Sequence, residues 1–276
     1  MTSSYSRDGA AHGGTPLVEV RGLTKRYGAA QSGKLVLDGV DLDVGRGLFL
    51  SIVGPSGAGK TTLLRCMAGL LPPTAGSVVM NGVPVVNPPP SLALVFQDYS
   101  RSLMPWMSIR KNVELPLLSK KIAKSERRDR ADEALAAVGL TGSTSQYPWQ
   151  LSGGMQQRVA IARALAYRPE ALLMDEPFAS VDAQTRADLE DLTRGVRDRF
   201  GMTVILVTHD IDEAVYVGDE VVVLSGSPAR VRQRIAVDLG PARDQLTTRS
   251  SARFTELRSQ VLELIRRERQ AVQGAA

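Results

Sequence analysis

The 276-residue sequence has a single cysteine, Cys66, so no intrachain disulfide can form and a thiol-based zinc site lacks its ligands. No apolar run approaches the roughly 18 residues that a membrane-spanning helix needs. The first residues, MTSSYSRDGAAHGG, hold no apolar segment of a secretory signal. Solenoid-period repeats and heptad runs are also missing. These absences predict a soluble chain in a reducing compartment. What is present is a globular composition, 43% hydrophobic and 23% charged, with a formal net charge of +5. That basic balance alone admits a nucleic-acid or membrane-surface partner.

Residues 1 to about 16 are rich in Ser, Gly and Ala and read as a loose, disordered leader. Ordered sequence begins near Leu17. Leu17–Val20 and Val36–Val44 alternate like strands, and Leu48–Val53 is a nearly continuous apolar run of the kind buried in a parallel sheet. Further apolar runs fall at Leu92–Phe96, Ala171–Met174, Val204–Val207 and Val221–Leu224, with helical stretches between most of them. Strand alternating with helix predicts an α/β fold with a mostly parallel sheet. From Tyr99 to about Arg168 no strand is expected. Ser125 is placed to cap a helix whose face is Ala131, Leu135 and Val138, and Gly139 to stop it.

The strongest chemical signal is Gly54-Pro55-Ser56-Gly57-Ala58-Gly59-Lys60-Thr61, a G-x-x-x-x-G-K-[ST] loop between the Leu48–Val53 strand and a helical stretch, Thr62–Leu70. Its glycines let successive backbone N–H groups turn onto phosphate oxygens at a helix N-terminus. Lys60 reaches the β- and γ-phosphates, and the Thr61 hydroxyl faces Mg²⁺. Ala171-Leu172-Leu173-Met174-Asp175-Glu176 then supplies two carboxylates at a strand end: Asp175 for the metal, Glu176 to polarise the attacking water.

Leu151-Ser152-Gly153-Gly154-Met155-Gln156-Gln157-Arg158 resembles the signature sequence of ATP-binding cassette (ABC) ATPases, and the motif order from about Leu17 to Leu224 follows that family. The resemblance implies a P-loop NTPase (RecA-like) core, an N-terminal antiparallel β subdomain and an inserted α-helical subdomain at about 99–168. Together they form a domain over 17–240, followed by a C-terminal helical extension over 241–276. It also assigns roles. Tyr27 stacks on adenine, Thr62 adds a hydroxyl to the α-phosphate, Gln97 bridges Mg²⁺ or water to the insert, and His209 contacts the γ-phosphate. Ser152, Gly153 and Gly154 of one copy face the phosphate loop of another, with Asp182 beside them, so two chains sandwich two ATP molecules in a homodimer. Ser180-Val181-Asp182 departs from the family's usual Ser-Ala-Leu-Asp, which leaves the fine geometry there open.

Asp98–Trp106, Asn112–Leu117, Tyr147-Pro148, Asp175–Phe178 and Asp182–Arg186 look like the nitrate/sulfonate/taurine importer ATPases. That resemblance implies an energy-coupling subunit at the cytoplasmic face of the membrane. It would be docked on permease subunits through the apolar segment around Leu103, Met104 and Trp106, and served indirectly by an extracytoplasmic solute-binding protein. An exporter or lipid-transport ATPase would share the ATP motifs; a non-transport ABC ATPase would need a coiled-coil insertion or a second cassette. Beyond Leu224 only about 50 residues remain, too few for the regulatory domain of sugar-importer ATPases. There Phe254, Leu257, Val261 and Leu264 make one amphipathic face. Residues 227–276 hold ten arginines and five carboxylates, while the rest of the chain carries 24 charges of each sign. The whole +5 therefore belongs to the tail, read as a solvated helix face, and no nucleic-acid partner is expected.

Overall fold

The computed structural model describes residues 15–28, 33–98 and 102–273. The expected leader lies outside them apart from Thr15 and Pro16, and so do Tyr99 to Arg101 of the segment expected to dock a partner.

Two sheets share the core. Strands β1 (Val18–Tyr27) and β2 (Lys34–Val44) pair antiparallel, and β1 also pairs with β4 (Ala75–Met80), which is followed by β5 (Val83–Pro84); the order is β2-β1-β4-β5. The second sheet uses β3 (Phe49–Val53), β6 (Leu92–Val95), β7 (Ala171–Asp175), β8 (Thr203–Val207), β9 (Glu220–Leu224) and β10 (Val231–Ala236) in the order β10-β9-β3-β8-β7-β6. All of its pairings are parallel except β9 with β10. The continuous apolar runs follow from burial on both faces. Phe49 and Val53 point into one core and Leu50 and Ile52 into the other, and β7, β8 and β9 alternate in the same way.

Helix α1 (Lys60–Met67) ends two to three residues earlier than the apolar pattern suggests, because Gly69 turns left-handed (φ +68°) and Leu70 N returns to Arg65 O. Between β6 and β7 lie α2 (Ile109–Glu114), α3 (Lys124–Ala137) and α4 (Gly153–Ala166), with no strand among the described residues. The expectation of Ser125 as a cap is corrected. Residue 123, an extended Ala without a capping side chain, precedes α3, and Ser125 lies inside its first turn. Ile122 packs against the core just before the helix, which starts two residues earlier than expected. Ala131, Leu135 and Val138 are buried as the pattern required, and Gly139 (φ +74°) ends the element.

Helices α5 (Ala183–Phe200), α6 (Ile211–Val217) and α7 (Ala252–Gln273) complete the fold. The buried face of α7 is Phe254, Leu257, Val261 and Ile265; Leu264 is only partly buried, since a 3.6-residue period carries the fourth position one residue on. Among the described residues no helix is long and apolar enough to cross a membrane.

The tail packs its apolar face on the core and leaves Arg266, Arg267 and Arg269 of α7 exposed. Other tail arginines reach carboxylates elsewhere in the chain: Arg230 pairs with Asp38 (2.5 Å), Arg234 with Glu220, Arg249 with Glu190 (2.5 Å) and Arg258 with Asp212 (2.6 Å). Arg243 is buried and donates to the carbonyls of Val215, Tyr216 and Gly218.

Candidate active site

The C-terminal ends of β3, β7 and β8 deliver the site. After β3, the Gly54–Gly59 loop curls so that Gly59 (φ +86°) directly precedes α1. A Cβ at Gly59 would stand 2.8 Å from Val36 Cγ1, so glycine is required there for space as well as for backbone angle. The Lys60 ammonium donates to the carbonyls of Gly54 (2.9 Å) and Pro55 (3.2 Å), inside the loop's own concavity. Burial pushes its pKa down, opposed by Glu176 and Asp175.

At the end of β7, Asp175 accepts a hydrogen bond from Thr61 Oγ1 at 3.1 Å, and burial pushes its carboxyl up. A desolvated carboxylate beside a hydroxyl is a pair of hard oxygen donors aimed at one spot. Among the described residues no group of three or more His, Cys, Asp or Glu could cage a metal. Two protein oxygens suit a cation such as Mg²⁺, which keeps waters and takes phosphate oxygens for its remaining positions.

Glu176, the next residue, adopts φ +45°, a left-handed conformation rare for a side chain of this size. Its amide is fixed to Val207 O at 2.8 Å, which ties β7 to β8 at that point. The turn aims its Oε2 at His209 Nδ1 (3.0 Å) and Gln97 Nε2 (3.5 Å). Sequence reasoning did not foresee this strain; the signal was the abrupt change from a buried strand to Glu-Pro. Tyr27 is exposed at the rim, with its hydroxyl 3.4 Å from Thr62 Oγ1 and Lys25 Nζ 5.5 Å from its ring centroid. An open aromatic face beside the phosphate loop can receive a flat base.

Ser152, Gly153 and Gly154 do not join this group. Ser152 caps α4 by accepting from Met155 N, and Gly154 is pressed against Thr185, where an added Cβ would lie 2.3 Å from Thr185 Cγ2. Asp182 caps α5 through Thr185 N (3.0 Å) and accepts from Thr185 Oγ1 (2.7 Å), bonds that hold its carboxyl below the usual range. Among the described residues the hydrogen bonds of this second group stay within the two helix starts and reach neither Lys60 nor His209.

On the insert, Leu103 is buried while Trp106 is 71% exposed, so the segment expected to form a groove both anchors itself and presents an aromatic. The bond from Ile109 N to Gln146 O (2.8 Å) ties it to the loop bearing Tyr147 and Trp149, whose exposed rings stack with centroids 6.2 Å apart. Arg163 of α4 grips Ser102 through its carbonyl (2.5 Å) and hydroxyl (2.6 Å), joining the segment after Gln97 to the helix that Ser152 begins.

A family model described as "ABC transporter" matches residues 37–179. The chain is 45% identical over 251 residues to an uncharacterised ABC transporter ATP-binding protein of Methanocaldococcus jannaschii, covering 91% of this chain and 92% of that one. It is 39% identical to the taurine import ATP-binding protein TauB of Pseudomonas putida (94% and 99% covered). With the nitrate transport protein NasD of Klebsiella oxytoca the identity is 36% (91% and 96% covered). Among solved structures, the dimeric structure of a bacterial ABC transporter cassette superposes with a TM-score of 0.70 at 34% identity, covering 80% of this chain and 98% of that one.

Proposed function

The chain belongs to the ABC transporter family of ATPases, and from that premise we propose that it powers import of nitrate, a sulfonate, taurine or a related small solute by binding ATP between two copies of itself. Lys60 and the backbone N–H groups of the Gly54–Gly59 loop, Pro55 excepted because it has none, hold the phosphates, Thr61 and Asp175 would carry the Mg²⁺ with Gln97 beside it, and Tyr27 and Thr62 receive the adenosine end and the α-phosphate. Bound Mg²⁺ supplies positive charge to the β- and γ-phosphates. Glu176 accepts the proton of the attacking water, and His209 orients the γ-phosphate while fixing the carboxylate that faces it.

The observation that carries the reading is the separation of the two residue groups. Lys60, Asp175, Glu176 and His209 converge at the C-terminal ends of β3, β7 and β8, while Ser152 and Asp182 cap α4 and α5, whose starts meet at Gly154 and Thr185. A helix start with exposed backbone N–H groups and, among the described residues, no hydrogen bond to its own phosphate loop fits a second chain, and a two-fold pair lets each chain serve the other reciprocally. The solved dimer of a related cassette supports that arrangement. The exposed Trp106, Tyr147 and Trp149 suit docking to a permease at the cytoplasmic face of the membrane. Arg163 links that surface to the helix carrying Ser152.

The test is to purify the chain with the permease it retains from membranes. ATP turnover is then measured with the cognate extracytoplasmic binding protein loaded with taurine, other sulfonates or nitrate. Stimulation by one of these solutes is expected. Retention of nucleic acid instead of a permease, or stimulation only by an unrelated solute class, would overturn the assignment.

A further inference from the structure

Behind His209 lies a buried acidic arrangement that the nucleotide site does not use. Thr208, the residue before the histidine, is buried, and its hydroxyl donates to Glu213 Oε2 at 2.5 Å while accepting from Asp210 N at 3.0 Å. The loop that presents His209 is thus wrapped around the Glu213 side chain. Glu213 is 4% exposed, and its other oxygen, Oε1, has no partner. Facing it from α5 is Glu190, 1% exposed, whose Oε2 is taken by Arg249 (2.5 Å) and Gln245 (3.0 Å) while its Oε1 is also unpartnered.

Among the described residues no cation bonds Glu213. From α5, Arg186, whose charge reaches it, is already paired with Asp210 (3.3 Å), Asp191 accepts from Tyr216, and Arg194 donates to Val217 O. On α6 itself, Asp212 is paired with Arg258 of α7. Strand β3 brings no ionisable side chain, and the one on β9, Glu220, is held by Arg234. In the tail, Arg249 is committed to Glu190 and Arg243 to backbone carbonyls and Asp219. A buried carboxyl without a counter-ion stays neutral.

We propose that Glu213 is a positioning residue for His209: it keeps a proton on its buried carboxyl, and this neutral group fixes Thr208 and, through it, the histidine that meets the γ-phosphate. Ionisation would strengthen the bond from Thr208 but place a second negative charge next to Glu190 inside the protein, and that repulsion would displace the Glu213 side chain together with the loop fastened to it. Burial pushes the Glu213 carboxyl up to about 8 against the opposing bond from Thr208, with the charge of Glu190 adding to the rise, and this sets where that displacement falls. The inference rests on the proposed role of His209 in ATP hydrolysis.

The sign follows from linkage. A carboxyl raised from an ordinary value of 4.5 to about 8 in the folded chain favours folding most below 4.5, and that contribution is lost as pH rises through 8. The test compares the full chain with Glu213→Gln, whose amide still accepts from Thr208 but cannot ionise. Two profiles are read from pH 6 to 9.5 in the permease complex: thermal melting, and kcat with KM for ATP. Wild-type melting temperature should fall relative to Glu213→Gln as pH rises. Wild-type kcat should lose about tenfold between pH 7 and 9, as one group titrating near 8 requires, with KM moving less. Glu213→Gln should match wild type at pH 7 and lack the alkaline loss.

Parallel melting profiles, or the same alkaline limb in Glu213→Gln, would overturn the inference. So would a Glu213→Gln variant that melts normally but has lost turnover at pH 7. His209→Ala is the control: if it retains wild-type turnover, the role of His209 fails and this inference with it. If it is inactive, the Glu213→Gln profile decides the inference alone.

Discussion

Glu176 Oε2 lies 3.0 Å from His209 Nδ1, so the carboxylate assigned to water and the imidazole assigned to the γ-phosphate share one hydrogen bond. The contact bridges the ends of neighbouring strands β7 and β8, which pair from Ala171↔Thr203 to Asp175↔Val207. A shift of either strand end would disturb both groups together.

Glu176→Gln keeps the volume and a hydrogen bond to His209 while removing the base. ATP should still bind, and hydrolysis should fall about 100-fold or more. Sizing with ATP and Mg²⁺ should then reveal a trapped dimer. A chain that elutes only as monomer would refute the arrangement.

Lys60→Ala removes the cation from the phosphate cradle and leaves the carbonyls of Gly54 and Pro55 without that donor. Turnover with the permease should drop about 100-fold or more. Wild-type rates in this variant would contradict the assignment of the loop.

The tail is structural before it is anything else. Phe254, Leu257, Val261 and Ile265 are buried in the main core, so deleting residues 249–276 would open that core rather than test regulation. The sharper probe is Leu257→Ala, expected to cost about 3 kcal/mol in urea denaturation. A loss under about 1 kcal/mol would show that α7 does not hold its place.

Cys66 is buried in α1, and burial pushes its thiol up to about 11. At pH 8 an aromatic disulfide reagent should react slowly with the native chain and rapidly in denaturant. Fast labelling of the native chain would mean that α1 opens readily.

The parallel core was legible because strands buried on both faces show as nearly continuous apolar runs: Leu48–Val53, Ala171–Met174 and Val204–Val207 all stood out. Of the strands with one wet face, β1 and β2 showed through alternation, whereas β4 and β10 did not. In β10, Val-Arg-Gln-Arg-Ile-Ala reads as polar because Arg234 turns outward to Glu220 and Asp43 O. In β4, Ala75–Ser77 are exposed and two of the three are Gly and Ser. The phosphate loop and the carboxylates were readable from local spacing. The strain at Glu176 and the Glu190–Glu213 arrangement were not, since each depends on elements brought together from distant sequence. The tail's charge was counted correctly from sequence, but the partners of its arginines were not foreseen: Asp38, Glu190 and Asp212 lie far from Arg230, Arg249 and Arg258 along the chain.

Gly154 is pressed against Thr185, on elements apart from those that carry Lys60 and His209. In the proposed pair each chain lends one half of a site and borrows the other, so lesions distribute by geometry rather than by chain. Join a chain without Lys60 to one with a spoiled Ser152–Gly154, and both faults fall in the same composite site while the other is left whole. Two subunits that are each inert alone would therefore restore activity as a mixture, and function is counted per couple rather than per molecule.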